Sequence, residues 1–251
     1  MFKCSSVLKF MSNWLIIPTY NEALNIKELI TRINQNGEWQ ILVVDDDSPD
    51  DTSGVVRNLQ KKYSNIFLLT RVGKLGLGSA YRAGFKYALE RGAEIVGEMD
   101  ADLSHLPEDL PKLHQAIKNG ADLAIGSRRV DGGQIIGWSS WRHFTSFSAM
   151  LLARMVLGLK AKDVTAGFRL YTKKALNSIP WANIKSDGYA FQEEILFLCE
   201  RAELKVVEVP VVFVDRKQGK SKLGIKSIIE FFATLVRLRI ASFPHKRESR
   251  N

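Results

Sequence analysis

Two carboxylates two residues apart, Asp100 and Asp102, close an apolar run in the segment EIVGEMDADLSH at 94–105. Residues i and i+2 of an extended backbone point to the same side, so this spacing predicts that both side chains face one point. Converging carboxylates repel each other unless a cation lies between them, and Mg²⁺ and Mn²⁺ prefer such oxygen ligands and often add substrate phosphates to their shell. The pattern indicates a divalent-metal site, and a solvated acidic turn fits this segment alone equally well.

Other unusual polar segments also follow predicted strands. PTYNE at 18–22 follows the first strand, DDDSPDD at 45–51 the second and GSRR at 126–129 the fifth. Acidic residues at a ligand-binding edge oppose an anionic ligand unless they hold a metal ion or the hydroxyls of a sugar and a ribose. Together, these acidic and basic segments are typical of a nucleotide-sugar site.

The first half of the chain predicts a scaffold that brings these segments together. β-Rich runs alternate with helical periodicity, which predicts an α/β fold with a Rossmann-like, mostly parallel sheet and helices on both faces. Ligands bind such sheets at the carboxyl ends of the strands. The strand candidates are Trp14–Pro18, Gln40–Val44, Ile66–Thr70, Glu94–Met99 and Asp122–Gly126. The helix candidates are Asn25–Asn34, Thr52–Tyr63, Gly78–Arg91 and Pro107–Asn119.

The charge of the chain narrows the class of its partners. The 251 residues carry a net charge of +9, and ten Lys or Arg against two acidic residues fall between positions 216 and 251. Such a basic cluster fits phosphates, anionic lipid head groups or nucleic acid. A nucleic-acid-binding module is therefore an alternative from a different class. The acidic strand ends and the lack of a recognised binding motif count against it, so we expect no nucleic-acid partner.

Cysteine usage and apolar runs indicate a compartment. Cys4 and Cys199 are the only cysteines, without metal or disulfide spacing, which favours a reducing compartment and makes Cys199 a small core residue. Residues 1–13 make a poor signal peptide, and we expect no transmembrane helix, since no uncharged apolar run reaches about 18 residues. We expect a protein at the cytoplasmic face of a membrane, bound peripherally.

Two amphipathic stretches, Ser140–Leu159 and Ile225–Phe243, mix aromatic and aliphatic side chains with basic ones. Aromatic and basic residues on one amphipathic helix are what an interfacial membrane contact requires. Packing of both helices on the sheet is the alternative. The pairing of the two stretches with a basic tail favours a membrane surface.

An ordered set of motifs identifies a family resemblance over about 14–232. The motifs are PTYNE, VVDDDSPD, GLGSAYRAG, MDADLSH, GSR, VTAGFRLY, DGYAFQEE and RKQGKSKLG. In this order they resemble the dolichol-phosphate (polyprenol-phosphate) mannose synthases, which are family-2 glycosyltransferases with the GT-A fold. The QxxRW signature of processive polysaccharide synthases is absent from the sequence.

The resemblance implies a role for each matching position. The nucleotide-sugar-binding residues would be Pro18, Tyr20, Glu22, Asp45, Asp47, Asp100, Ala101, Asp102, Arg128, Arg216 and Lys222. The metal ligands would be Asp100, Asp102 and Ser104. The acceptor-phosphate residues would be Arg142, Ser221 and Lys222. The catalytic residues would be Asp102, Arg128 and Arg216. The residues near the sugar would be Asp163, Thr165, Gln192 and Glu193.

The reaction implied by the resemblance is transfer of mannose from GDP-mannose to a polyprenyl or dolichyl phosphate. It would invert the anomeric centre and use a divalent cation, Mg²⁺ or Mn²⁺. Transfer of glucose or N-acetylglucosamine to a lipid phosphate is the alternative. Members of the family carry their own membrane helices or rely on a small integral-membrane partner, so such an anchoring partner is also possible.

The predicted organisation has three parts. We expect a loose extension at 1–13, a catalytic GT-A domain at 14–215, and a basic lid loop, amphipathic helix and tail at 216–251. His105 lies next to the predicted metal site, and we interpret it as a solvated loop histidine because it shows no ligand spacing with the other histidines.

Overall fold

The structure, a computed structural model, describes residues 13–188, 190–216 and 225–242. The strands are β1 (Asn13–Thr19), β2 (Gln40–Asp45), β3 (Ile66–Thr70), β4 (Ile95–Glu98), β5 (Leu123–Ser127), β6 (Gln134–Ile136), β7 (Arg169–Thr172), β8 (Val206–Pro210) and β9 (Val212–Val214). The helices are α1 (Ile26–Gln35), α2 (Thr52–Gln60), α3 (Leu77–Glu90), α4 (Leu110–Lys118), α5 (Ser140–Leu157), α6 (Lys173–Ser178), α7 (Phe191–Arg201) and α8 (Ile225–Ser242). Two 3₁₀ turns cover Pro107–Asp109 and Trp181–Asn183.

A seven-stranded sheet in the order β3-β2-β1-β4-β7-β5-β8 forms the centre of the molecule. β1 pairs in parallel with β2 and β4, so Thr19 lies beside Asp45 and Ile16 beside Glu98. β7 runs antiparallel to both β4 and β5, while β5 and β8 are parallel. The prediction of a mostly parallel α/β sheet is confirmed, and the carboxyl ends of β1, β2, β4 and β5 meet along one edge.

Both faces of the sheet are buried because alternate residues of its central strands enter different cores. Trp14 and Ile16 of β1 join the core that contains residues of α3 and α7, whereas Leu15 and Ile17 join the core with α1, α2 and α4. Burial on both faces explains why these strands are continuous apolar runs rather than alternating patterns. Cys199 is fully buried in the first core, as predicted.

The second half of the sheet was not predicted strand by strand. β7 is short and begins with Arg169, a charged side chain with no exposed surface, so its sequence lacks the period of a buried strand. A small second sheet pairs β6 with β9 in parallel. Among the helices, the predicted Ser140–Leu159 ends two residues earlier, because Gly158 adopts φ 70°, the left-handed conformation that ends helices.

α5 and α8 are the two amphipathic helices of the sequence, and they pack against each other. Each leaves large apolar side chains in solvent while smaller sets such as Met150, Ala153, Leu235 and Leu238 are buried. The exposed side chains are Trp141, Phe144, Phe147, Leu151, Met155, Ile228, Ile229, Phe232, Val236 and Ile240. Neither α5 nor α8, nor any other helix in the described part of the chain, is long and apolar enough to span a membrane.

Candidate active site

The carboxyl end of β2 contains a carboxylate whose hydrogen-bonding capacity is filled by the protein. Asp45 is fully buried, and its Oδ1 accepts from the hydroxyls of Thr19, at 2.8 Å, and Ser48, at 2.6 Å. Its Oδ2 accepts from the Ser48 amide, at 3.1 Å, and the Ser53 hydroxyl, at 2.8 Å. Four donors on two oxygens make Asp45 a fastening point between the ends of β1 and β2.

The rest of this acidic loop shapes the PTYNE segment. The backbone amide of Asn21 donates to Ser48 Oγ, and that of Ala23 donates to Asp50 Oδ2, each at 3.0 Å. Asp47 is exposed and has φ 56°, so the chain turns sharply there. The DDDSPDD loop therefore holds the PTYNE loop in place, whatever further contact Asp47 makes with a ligand.

Pro18, Tyr20 and Glu22 lie beside this loop, as the sequence predicts for one edge of the sheet. Pro18 pairs with Val44 in the β1–β2 register, and both Tyr20 and Glu22 are half-buried. Lys74 Nζ lies 4.4 Å from the centroid of the Tyr20 ring. Lys74 has no signal in the sequence, and its cation covers an aromatic ring of the predicted nucleoside pocket.

A second residue that sequence reasoning missed is Arg71, which supports the loop that carries Lys74. Its guanidinium forms an ion pair with Asp46, and it donates to Ser79 Oγ at 2.7 Å. Asp46 also accepts from the Leu75 amide at 3.0 Å. A buried ion pair thus fixes the loop after β3 against the end of β2.

The predicted metal segment is a turn rather than an extension of β4. The strand ends at Glu98, and Ala101 and Asp102 lie in a turn that includes Leu103 at φ 61°. The Ser104 amide donates to Asp102 Oδ1 at 3.0 Å, which closes this turn. Asp100 and Asp102 therefore approach each other through the turn, and not through the alternation of a strand. A left-handed leucine is an uncommon conformation of the kind found at functional sites.

The carboxylates of this turn repel each other, and few positive charges of the described residues lie near them. Burial raises the pKa of Asp100, and so does the nearby Asp102 carboxylate, while Arg216 acts in the opposite direction. Glu22 also raises the pKa of Asp100, which places the PTYNE and MDADLSH segments within electrostatic reach of each other. A bound cation would relieve this repulsion.

The donor set fits a hard divalent cation. Asp100 and Asp102 supply carboxylate oxygens, and Ser104 Oγ is buried without a hydrogen-bond partner among the described residues. In that same part of the chain no group of three or more His, Cys, Asp or Glu residues forms a closed metal site. Two carboxylates and one hydroxyl leave an open shell, which suits an ion that shares ligands with substrate phosphates.

Two further acids of the described chain are buried, one of them two residues before Asp100. Glu98 and Glu193 are almost fully buried, and burial raises the pKa of each to about 8. Tyr171 donates to Glu98 Oε1 at 3.0 Å, and Arg169 Nε lies 3.7 Å from the same oxygen. The Gln192 side chain lies close enough to Glu98 to lower its pKa, and Glu193 Oε2 has no hydrogen-bond partner in the described chain.

Three further residues next to the turn were not predicted in their roles. Tyr81 is fully buried and donates to Asp100 Oδ1 at 3.3 Å. Gly167 leaves room for the same carboxylate, since a Cβ there would lie 3.3 Å from Asp100 Oδ2. The interpretation of His105 as a solvated loop residue is wrong. Its ring is buried between Phe168 and Phe213, and burial lowers its pKa.

Arg128 is held by the residues that the resemblance places near the sugar. Its amide donates to Asp163 Oδ2 at 3.0 Å, and its guanidinium donates to Thr165 Oγ1 at 2.9 Å. The guanidinium also lies between the rings of Trp138 and Phe213, with its Cζ 5.2 and 4.8 Å from their centroids. The structure brings Arg128, Asp163 and Thr165 together, and a phosphate would share this guanidinium with Asp163.

Arg142 and Arg216 belong to a row of alternating charges that ends at the metal turn. Arg142 Nη1 donates to both oxygens of Asp215 at 2.9 Å. Arg216, the next residue, places its Nη1 3.2 Å from Asp102 Oδ2. Arg142, a predicted acceptor-phosphate residue, is thereby linked through Asp215 and Arg216 to Asp102, a predicted metal ligand. Ser221 and Lys222, the other predicted phosphate ligands, lie outside the described residues.

Trp138 organises the arginines on this side and had no signal in the sequence. The Cζ atoms of Arg142 and Arg129 lie 4.3 and 6.0 Å from the Trp138 centroid, in addition to that of Arg128. Guanidinium groups stack readily on indole rings. The indole thus gathers three cations on one side of the site.

The arrangement can neutralise two phosphate-bearing molecules at the edge of an α/β sheet while a cation is held between them. It offers no buried Ser–His or Cys–His pair among the contacts of the described residues. A central sheet of this order with acidic turns after β2 and β4 defines a glycosyltransferase with the GT-A fold.

Comparisons with known proteins place the chain more closely. The model of glycosyl transferase family 2 matches residues 14–179, and the chain belongs to this family. It is 41% identical over 228 residues to an undecaprenyl-phosphate mannosyltransferase of Micrococcus luteus, covering 90% of this chain and 93% of that protein. It is also 41% identical over 218 residues to a polyprenol monophosphomannose synthase of Mycolicibacterium smegmatis, covering 86% and 82%.

A solved structure shares the fold. The glucosyl-3-phosphoglycerate synthase of Mycobacterium tuberculosis, crystallised with Mn²⁺, UDP-glucose and phosphoglyceric acid, has a TM-score of 0.66 to this chain. The match covers 93% of this chain and 81% of that one at 19% sequence identity. At this identity the likeness shows the fold alone, and it confirms the predicted α/β GT-A class.

Proposed function

We propose that this glycosyltransferase transfers mannose from GDP-mannose to a polyprenyl or dolichyl phosphate at a membrane surface. The product would be polyprenyl phosphate mannose, with GDP released and the anomeric centre inverted. The main structural support is the pair of ion pairs Arg142–Asp215 and Arg216–Asp102. They place two guanidinium groups, which can bind phosphates, next to the turn that contains the predicted metal ligands. The names of the two relatives at 41% identity support mannose as the sugar and a polyprenyl phosphate as the acceptor.

The donor half of the reaction is assigned to the edge formed by β1, β2 and β4. The nucleoside would lie against Pro18, Tyr20 and Glu22, whose loop is shaped by the fully bonded Asp45 and its neighbours. Asp100, Asp102 and Ser104 would hold Mg²⁺ or Mn²⁺. When bound, that ion supplies neutralisation of the charge that grows on the leaving diphosphate.

The acceptor half is assigned to the arginines around Trp138. The nucleophile is a phosphate monoester whose second pKa is about 6, so it is largely ionised at neutral pH and needs no strong general base. The task left to the protein is to hold two anions close together. Arg142 and Arg128 suit this task, since a guanidinium binds phosphate oxygens through two parallel hydrogen bonds. Lys222 and Ser221 would complete the binding site of the acceptor phosphate.

The membrane surface is assigned to the outer faces of α5 and α8. α8 uses polar residues to bind the body of the protein: Arg237 donates to both Glu194 oxygens at 2.7 and 2.8 Å, and Glu230 accepts from the Gly188 amide at 3.0 Å. Its outward face is apolar and exposes Ile228, Ile229, Phe232, Val236 and Ile240. The inner face of α8 combines these polar contacts with the buried Leu235 and Leu238, and its apolar outer face suits a lipid interface, where basic neighbours meet anionic head groups.

One assay tests the reaction. Purified protein is given labelled GDP-mannose or UDP-glucose, a short polyprenyl phosphate, and either Mn²⁺, Mg²⁺ or a chelator. We expect mannosyl lipid from GDP-mannose with metal present, and no product with chelator. Faster transfer from UDP-glucose would favour the alternative of another sugar, and an α-linked product in the NMR assignment would contradict inversion.

Vesicle flotation tests the membrane surface. The double variant Trp141→Ser/Phe144→Ser removes two side chains that are 72% and 62% exposed. We expect it to weaken binding to vesicles of anionic phospholipid by roughly tenfold or more, since burying each aromatic side chain contributes about 1.5–3 kcal/mol. Val72→Ser, at a side chain 92% exposed elsewhere on the molecule, is the matched control. Equal loss in both variants would argue against α5 as the contact.

A further inference from the structure

The backbone places Arg216 at the metal turn. The Val214 amide donates to the Ser104 carbonyl at 3.0 Å, and the adjacent residues, Phe213 and His105, form an isolated β-bridge. β9 is therefore fastened to the segment that follows the two aspartates. Arg216 lies two residues beyond the end of β9, so the backbone position of Arg216 is fixed relative to the two aspartates.

Both oxygens of Asp102 are engaged in this structure. Oδ1 accepts from the Ser104 amide at 3.0 Å, and Oδ2 lies 3.2 Å from Arg216 Nη1. The Asp102 side chain is 9% exposed and the Arg216 side chain 21%. A guanidinium and a divalent cation on one poorly solvated carboxylate repel each other, because little water screens them.

The other carboxylates described near Arg216 cannot replace Asp102 once a metal ion binds. Asp100, which is within electrostatic reach of Arg216, would itself hold the metal ion. Asp215 gives both oxygens to Arg142 Nη1, and one of them also accepts from the Arg216 amide at 3.1 Å. A guanidinium that leaves Asp102 therefore loses its anionic partner unless another anion arrives. The diphosphate of a nucleotide is such an anion.

We propose that Arg216 is a competing cation at the metal site, paired with Asp102 until a divalent cation and a nucleoside diphosphate bind together. This inference rests on the proposed function, which brings both to this turn. The diphosphate receives the guanidinium that the metal displaces, so each strengthens the binding of the other. Metal alone binds weakly, because it must leave Arg216 unpaired.

Mn²⁺ affinity tests the inference without any turnover. The signal of free Mn²⁺ in electron paramagnetic resonance gives its dissociation constant for wild type, Arg216→Gln and Arg129→Gln, each with and without GDP. Without nucleotide, we expect Arg216→Gln to bind Mn²⁺ about tenfold more tightly than wild type, since removing a charge at contact distance relieves a strong repulsion. Arg129→Gln removes the same charge from a side chain that donates to Ser146 and lies against Trp138, so it leaves the partners of Arg216 unchanged, and we expect a change within about twofold.

GDP provides the second reading. In wild type, GDP should tighten Mn²⁺ binding by a larger factor than in Arg216→Gln. The variant has no guanidinium for the diphosphate of GDP to bind. Arg216→Lys keeps the charge and should stay close to wild type. Circular dichroism and thermal unfolding show that each variant is folded, and Arg216→Met replaces the glutamine variant if that one is not.

The outcomes separate the inference from the function on which it rests. Equal Mn²⁺ affinity in wild type and Arg216→Gln, with GDP-dependent binding intact, overturns the competition and leaves the proposed function standing. Wild-type protein that binds no Mn²⁺ even with GDP overturns the metal-dependent function, and the inference with it. Equal tightening by Arg216→Gln and Arg129→Gln also overturns it, because the effect would then be long-range charge.

Discussion

The two acidic strand ends of the sheet look alike in sequence and differ in structure. At the end of β2, Asp45 accepts four hydrogen bonds and Asp46 is paired with Arg71. At the end of β4, Asp102 accepts from the Ser104 amide and pairs with Arg216, but Asp100 has a single described hydroxyl donor, Tyr81 at 3.3 Å, and keeps its raised pKa. Glu193 on α7 also keeps a buried oxygen without a described partner.

The difference separates support from chemistry. A carboxylate whose lone pairs are filled by the protein holds loops together and has little left for a ligand. Carboxylates that crowd one another in a poorly solvated place are costly for the protein, and that cost is relieved by a cation. The unsatisfied end is therefore the one expected to bind metal, and the satisfied end the one expected to support the fold.

The largest predicted effect comes from removing a carboxylate at the unsatisfied end. Asp102→Asn should lower metal-dependent turnover by roughly a thousandfold or more, because neutralisation of the leaving diphosphate by a cation contributes several kcal/mol. The free energy of unfolding should change by less than about 1 kcal/mol, since the variant removes a like-charge repulsion together with one ion pair. Glu90→Gln on α3 is the control, and near-wild-type turnover in Asp102→Asn would refute the metal assignment.

The satisfied end should show the reverse pattern, with stability affected first. Asp45→Ala leaves three hydroxyls and an amide without their acceptor, and we expect it to lower the free energy of unfolding by about 2–4 kcal/mol. Asp47→Ala, at an exposed side chain of the same loop, should change it by less than about 0.5 kcal/mol. Urea denaturation of both variants measures this. Equal stability of the two would mean that Asp45 is not a fastening point.

The sequence predicted the two strand ends but not the difference between them. The first five strands, the first four helices and the positions of Asp45, Asp100 and Asp102 follow from local signals: apolar runs, helical periodicity and acidic residues at their ends. Which carboxylate is satisfied depends on Thr19, Ser48 and Ser53 converging in three dimensions, and these residues have no common spacing.

The remaining misses have a similar physical cause. His105 reads as a polar loop residue, yet tertiary packing buries it between two aromatic rings. Trp138 gathers arginines that are distant in sequence, and β7 places a charged Arg169 in the core against Glu98. Contacts over such separations leave no local periodicity, so a single sequence does not reveal them.

Glu193 allows the unsatisfied region to be tested through pH. Burial raises the pKa of Glu193 to about 8 from an ordinary 4.5, Glu230 of α8 raises it further, and Arg169 lowers it. The folded protein thus keeps this proton where the unfolded chain loses it. The stability that Glu193 contributes is complete below about pH 4.5 and is lost as the pH rises through 8.

Glu193→Gln cannot ionise and should escape this loss. Between pH 5.5 and 8.5 we expect the free energy of unfolding of wild type to fall relative to that of the variant by roughly 1–3 kcal/mol, since one pKa unit corresponds to about 1.4 kcal/mol. Urea denaturation at both pH values measures the difference. Glu90→Gln, an exposed glutamate, should follow the wild-type curve. Parallel curves for wild type and Glu193→Gln would show that the buried carboxyl is better satisfied than the structure indicates.

The smallest predicted effect concerns the Tyr81 hydroxyl, the single hydroxyl donor described for Asp100. It tests whether Asp100, like Asp45, depends on hydrogen bonds from the protein. Tyr81 donates to Asp100 at 3.3 Å and is stacked between Phe85 and Phe191, each 6.0 Å away, so Tyr81→Phe keeps the packing and removes only the hydroxyl. A long hydrogen bond contributes about 0.5–1.5 kcal/mol, and we expect stability to fall by no more than this and turnover by less than about threefold. Steady-state kinetics beside Asp102→Asn measure the contrast. If Tyr81→Phe lost as much turnover as Asp102→Asn, Asp100 would depend on the protein for its partner as Asp45 does, and the distinction between a supporting and a metal-binding strand end would fail.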